Sequence, residues 1–195
     1  QPVLPRGNYL SGKQATLKTY RQYSQNAAYI HLATHAMAGE TGNDPEIEFS
    51  DSALSLKEIY AMPLHADLAV LSACNTGIGK VEKGEGFMSL ARGFYYAGVP
   101  HIITSLWQVN DASTGNLFKS FYTSMQKQGY ENAFYDAKKT YLQSDLANEK
   151  YSPYYWAGLI FIGDNNPPAS SNTLLYIITA VLLTAIVFYI LIRRK

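Results

Sequence analysis

The chain has 195 residues with 16 basic and 15 acidic side chains and a formal charge of +1, so there is no electrostatic argument for nucleic-acid binding. One cysteine excludes an internal disulfide framework and a zinc site built from cysteines, and no metal or cofactor is expected. The length suits one globular domain with an appendage, and a start at Gln1 rather than Met suggests a piece processed or excised from something longer.

Gln1 to Tyr9 is punctuated by Pro and Gly and reads as loop. Ser11 followed by Gln14 resembles a capping box, and Ala15, Leu17, Tyr20 and Tyr23 mark an amphipathic helix ending near Gln25. Tyr29 to Thr34 is a nearly continuous apolar run, the pattern of a strand covered on both faces in a parallel sheet. Met37 to Asp51 reads as a loop with a short hairpin. Its acids, Glu40, Asp44, Glu46, Glu48 and Asp51, lack the regular ligand spacing of a calcium loop and are expected to be solvated.

Ser55 and Glu58 form a second capping box, opening a short helix that Pro63 closes. The apolar run Leu68 to Ala73 ends at Cys74. A glycine-rich stretch follows from Gly77 to Gly86, then a helical pattern at Phe87, Leu90, Ala91, Phe94 and Tyr95, stopped by Gly98. Neither GxGxxG nor GxxxxGK[ST] occurs there, which argues against phosphate binding. Val99 to Leu106 is a third apolar run. Asp111 then starts a helix with Leu117, Phe118, Phe121, Tyr122 and Met125 on one face, another helix runs from about Asn132 to Leu146, and Trp156 to Ile162 is the last strand. This alternation predicts an α/β fold, a mainly parallel sheet with helices on both faces.

Residues 165–172 form a polar, Pro-containing linker, and the composition then changes. Thr173 to Ile192 is a run of 20 uncharged residues followed by Arg193, Arg194 and Lys195. That length matches the hydrocarbon thickness of a bilayer, so residues 173–192 are expected to form a single transmembrane helix, with 193–195 as a basic tail. The positive-inside rule then gives a single-pass membrane protein with the tail in the cytoplasm and the domain outside it.

In a parallel sheet, ligand sites form beyond the carboxyl ends of the strands, where neighbouring loops diverge. His35 and Cys74 both fall at that edge, as a nucleophile and its base require. An imidazole beside a thiol raises its thiolate fraction and can protonate a leaving amine. A lone cysteine after an apolar run is also an ordinary core residue. His31 reads as a core or edge histidine, and His65 and His101 sit at strand entrances on the wrong edge.

Five motifs in order favour the dyad over the core reading: His-Leu-Ala-Thr-His (31–35), Leu-Ser-Ala-Cys-Asn-Thr-Gly (71–77), Ser-Leu-Trp-Gln-Val-Asn-Asp-Ala-Ser-Thr (105–114), Tyr-Tyr-Trp-Ala-Gly (154–158) and Ile-Gly-Asp (162–164). Together they resemble the CHAT domain, a caspase-like cysteine peptidase family related to separase and often attached to tetratricopeptide repeats. The resemblance spans roughly residues 1–164, and the domain is expected to be truncated at its N-terminus. It implies a caspase-like fold, a catalytic dyad of His35 and Cys74, backbone oxyanion donors at Ala36 and Cys74, and cleavage of a protein or peptide substrate. Ala36 stands where the family usually has glycine. Asp111 lies in a segment similar to the one that supplies an acid for a basic P1 side chain in separase-like peptidases; as a plain structural residue it would be the N-cap of the helix it begins. A non-catalytic signalling module and an acyl-transfer enzyme using the same dyad are the alternatives.

Overall fold

The computed structural model describes residues 7–37, 44–72, 80–82, 86–88, 90–107, 110–144, 151–164 and 179. The chain divides into two compact units, Gln1–Asn165 and Asn166–Lys195, and all but one of the described residues belong to the first. Its elements are α1 (Leu17–Ser24), β1 (Tyr29–Leu32), β2 (Ala36–Met37), β3 (Glu46–Glu48), β4 (Ala53–Ser55), α2 (Leu56–Tyr60), β5 (Leu68–Leu71), β6 (Lys80–Glu82), β7 (Gly86–Met88), α3 (Leu90–Tyr96), β8 (His101–Ser105), α4 (Asp111–Gln128), α5 (Tyr130–Leu142) and β9 (Leu159–Ile162).

The main sheet has the order β1-β5-β8-β9. β1, β5 and β8 are parallel, while β9 runs antiparallel to β8. Connectivity explains the exception. A single residue, Gly129 at φ 79°, joins α4 to α5, so the chain crosses the sheet face twice after β8 and reaches β9 from the edge at which β8 ended.

Every residue of β5 and β8 is buried, because alternate side chains enter two different cores. Ala69, Leu71 and Ile102 pack with residues of α1, α2 and α3, whereas Leu68, Val70 and Ile103 pack with α4 and α5. Burying both faces in this way is what makes β5 read as an unbroken apolar run and β8 as a run centred on Ile102 and Ile103.

Helix starts follow side-chain capping. α1 is capped by Thr16, whose hydroxyl accepts from Thr19 N at 3.0 Å while Thr19 reaches back to the Thr16 N–H. The Ser11/Gln14 pair is not a capping box; it opens one turn of 3-10 helix with no side-chain cap, too short a turn to leave a helix end needing that donor. The Ser55/Glu58 box does form and opens α2.

The antiparallel pairing expected of a short hairpin is present at β3, which pairs with β2 on one side and with β4, just beyond the expected region, on the other, so the sheet has three strands, β2-β3-β4. Two of the region's acids have structural partners rather than water alone. Asp51 Oδ1 accepts from Leu17 N at 2.7 Å in the first turn of α1, and Asp44 pairs with Lys57 at 2.8 Å. β6, inside the glycine-rich stretch, pairs antiparallel with β7 at its end, so Phe87 lies in a strand and not on the helix, which begins at Leu90.

His101 is buried at the amino edge of the main sheet and braces it. Its Nδ1 donates to the Asp67 carbonyl oxygen at 2.8 Å, and its Nε2 lies 3.2 Å from Asp164 Oδ1. The Tyr130 hydroxyl donates to Asp67 Oδ2, and burial followed by this carboxylate pushes its pKa well up. These contacts tie the entrances of β5 and β8 to the start of α5 and the end of β9.

The expected transmembrane helix and single-pass membrane location are corrected. Among the described residues, no helix is long and apolar enough to cross a membrane, and the span 173–192, apart from Thr179, lies outside those residues. An uncharged run satisfies only the hydropathy condition. A span also requires a continuous helix that satisfies its own backbone groups over the bilayer thickness.

Candidate active site

The carboxyl edge of the sheet collects the ends of β1, β5 and β8 and the start of β9. β1 and β5 are neighbours with Leu32 opposite Leu71, and Ser72 N donates to the Leu32 carbonyl at 3.1 Å, extending the pairing by one step. His35 follows Leu32 by three positions and Cys74 follows Leu71 by three. Cys74 lies outside the described residues. The strand that leads to it is fixed on both sides, by β1 and by β8.

His35 is exposed, and its backbone is held by β3. Glu48 N donates to the His35 carbonyl at 2.9 Å, and Thr34 Oγ1 donates to the Glu48 carbonyl at 2.8 Å. His35 and Glu48 therefore form a hydrogen-bonded position of the β2/β3 ladder. The next pair, Ala36 and Ile47, is a non-hydrogen-bonded one, so the Ala36 N–H is directed away from β3. Ala36 is buried in the core shared with α1, α2 and α3. Its methyl group is occupied in packing.

Asp111 is the first residue of α4 and is exposed. It is not the N-cap. Asn110 fills that position, accepting from Ser113 N at 3.2 Å through Oδ1. The Asp111 carboxylate thus sits at the positive end of a helix of 18 residues without serving as its cap.

Between β8 and α4, Trp107 joins two of the sequence motifs physically. Its indole N–H donates to the Tyr154 carbonyl at 3.0 Å, and Leu106 N donates to the Gly158 carbonyl at 2.8 Å. The indole lies so close to Gly158 that an added Cβ would sit 2.6 Å from the ring. Gly158→Ala is therefore expected to push Trp107 out of place and destabilise the domain by about 1–3 kcal/mol. Thermal unfolding checks this, and an unchanged melting temperature contradicts the close packing.

Sequence reasoning read His31 as a core or edge histidine. The structure gives it partners at both ring nitrogens: Nε2 lies 3.1 Å from Ser72 Oγ and Nδ1 lies 2.9 Å from the Tyr122 hydroxyl. The ring also meets Phe118 edge-on at 5.0 Å and Tyr122 at 5.8 Å. Burial among these groups pushes its pKa down. The imidazole is neutral at pH 7, even though the residue keeps accessible surface. The only sequence signal for this site was that His31 and Ser72 fall inside two of the five motifs.

Among the described residues, no group of His, Cys, Asp and Glu is arranged to hold a metal ion. The CHAT domain family model matches residues 1–164. Tetratricopeptide repeat protein 28 of Mus musculus is 28% identical over 120 residues, covering 60% of this chain and 5% of that protein. Its counterpart from Homo sapiens is 28% identical over 145 residues, covering 72% of this chain and 6% of that protein. The chain thus spans only a small fraction of the length of these curated relatives.

Proposed function

Because this chain belongs to the CHAT domain family, which is caspase-like and related to cysteine peptidases, we propose that it is a cysteine endopeptidase using a Cys74/His35 dyad. The observation that carries this reading is the equal offset of the two residues beyond a registered pair on adjacent parallel strands. Equal offsets on neighbouring strands favour a nucleophile and a proton carrier leaving the sheet side by side. The matched tetratricopeptide repeat proteins support a further part of the reading, in which repeats elsewhere in a longer chain select the substrate.

In the proposed reaction the Cys74 thiolate attacks the peptide carbonyl carbon. A C–S bond forms, and the carbonyl π electrons move to oxygen. Backbone N–H groups of Ala36 and Cys74 stabilise that oxyanion, a contribution of about 3–4 kcal/mol for a single donor where it has been measured. The intermediate collapses as the C–N bond breaks, with the imidazolium of His35 giving its proton to the departing amine. Water, deprotonated by His35, then attacks the thioester and releases the acid and the thiolate. The outward-directed Ala36 N–H and the packing of its methyl group support activity despite the missing glycine. Asp111 would select a basic P1 residue by pairing with guanidinium or ammonium.

A peptide electrophile with Arg at P1 tests the proposal. The wild-type protein is expected to react much faster than free cysteine, and Cys74→Ala not at all. Reaction no faster than free cysteine would sink the peptidase reading and favour the signalling module.

A further inference from the structure

We propose that His31, held between Ser72 and Tyr122, is a positioning residue that fixes the nucleophile-bearing end of β5 against β1 and α4; this rests on the peptidase reading of Cys74. Three elements meet at one ring. His31 belongs to β1, Ser72 follows β5 directly, and Tyr122 lies on α4, with ring-nitrogen distances of 3.1 Å to Ser72 Oγ and 2.9 Å to the Tyr122 hydroxyl.

The position in the chain gives this cluster its meaning. Ser72 is two residues before Cys74, directly after the last registered pair of β5. Beyond that pair, two bonds to Ser72 keep it aligned with β1: its backbone N–H to Leu32 and its hydroxyl to His31. α4 is the helix that begins at Asp111, so the same ring links the strand carrying the nucleophile to the helix carrying the proposed P1 acid.

The chemistry of the chain is consistent at pH 7. A neutral imidazole has one N–H and one lone pair, while both Ser72 and Tyr122 carry hydroxyls that donate or accept. Either tautomer therefore satisfies both contacts, and a ring with two partners and two aromatic neighbours is restricted in rotation. A displacement of about 1 Å at a reacting group can cost on the order of a hundredfold in rate. Removing this clamp should act on the rate of attack rather than on substrate affinity.

The test uses the same Arg-P1 electrophile on His31→Ala, His31→Gln, Ser72→Ala, Tyr122→Phe and the Ser72→Ala/Tyr122→Phe double variant. The inactivation rate at saturation is expected to fall about tenfold or more in His31→Ala, with the half-saturating concentration unchanged. Partial recovery is expected in His31→Gln, which keeps a donor and an acceptor. Because both contacts act through one ring, the double variant should be no slower than the slower single variant.

Tyr122→Phe keeps the ring packing, so it remains informative if His31→Ala does not fold. Wild-type rates in folded variants, losses that multiply in the double variant, or losses confined to half-saturation would each overturn the positioning role. A wild-type protein that reacts no faster than free cysteine would instead overturn the peptidase reading, and the inference with it.

Discussion

Replacing His35 with alanine is expected to lower kcat/KM for peptide cleavage by about 10²- to 10⁴-fold, the range typical of a general acid–base group. The fold itself should tolerate the change. The side chain is exposed, and the contacts that hold this position, Glu48 N to the His35 carbonyl and Thr34 Oγ1 to the Glu48 carbonyl, do not involve the imidazole. A melting temperature near wild type with a collapsed rate is therefore the expected combination. A rate within a few-fold of wild type would remove His35 from the chemistry.

The second large effect is expected at Asp111. Asp111→Asn keeps the size of the side chain but removes the charge, and the discrimination between Arg and an uncharged isostere at P1 should shrink by about tenfold to a hundredfold, from the 1.5–3 kcal/mol of a hydrogen bond to a charged group. The lower part of that range applies if solvent reaches the pair, since Asp111 is exposed. Stability should change little, because Asn110 caps α4 and Asp111 loses only its favourable position near the helix N-terminus. A P1 profile that is unaltered in Asp111→Asn would place the selecting group elsewhere, and a preference for acidic P1 residues in the wild type would contradict the assignment directly.

The main sheet was legible because burial on both faces leaves a plain mark: β5 is apolar throughout, the centre of β8 is Ile102 and Ile103, and the helices between strands carry periodic faces. Capping was legible where the box is complete, as at Ser55 and Glu58. It misled at Ser11, where the spacing was present but the helix began later, at Thr16. The reversal of β9 left no local mark, since direction depends on how often the chain has crossed the sheet.

For the candidate site, the positions of His35 and Asp111 at strand and helix ends could be read from pattern alone. That Asn110 rather than Asp111 is the cap could not, because both residue types suit that position. The His31, Ser72 and Tyr122 cluster was hidden for a different reason. Its members lie on three elements, and Tyr122 is 91 positions from His31 in the chain, a contact that no local pattern encodes. The expectation of a membrane span at 173–192 rested on hydropathy alone, which does not establish a membrane-spanning helix, and no helix among the described residues is long and apolar enough to be one.

The central claim is that the imidazole at position 35 acts on the thiol at position 74, and the pH dependence of Cys74 alkylation in the wild type and in His35→Ala tests it most directly. A paired thiolate predicts a wild-type rate that is half-maximal at or below about pH 7.5 and a His35→Ala rate that returns toward the ordinary thiol value of about 8.5. Coincident profiles near that ordinary value would contradict the account.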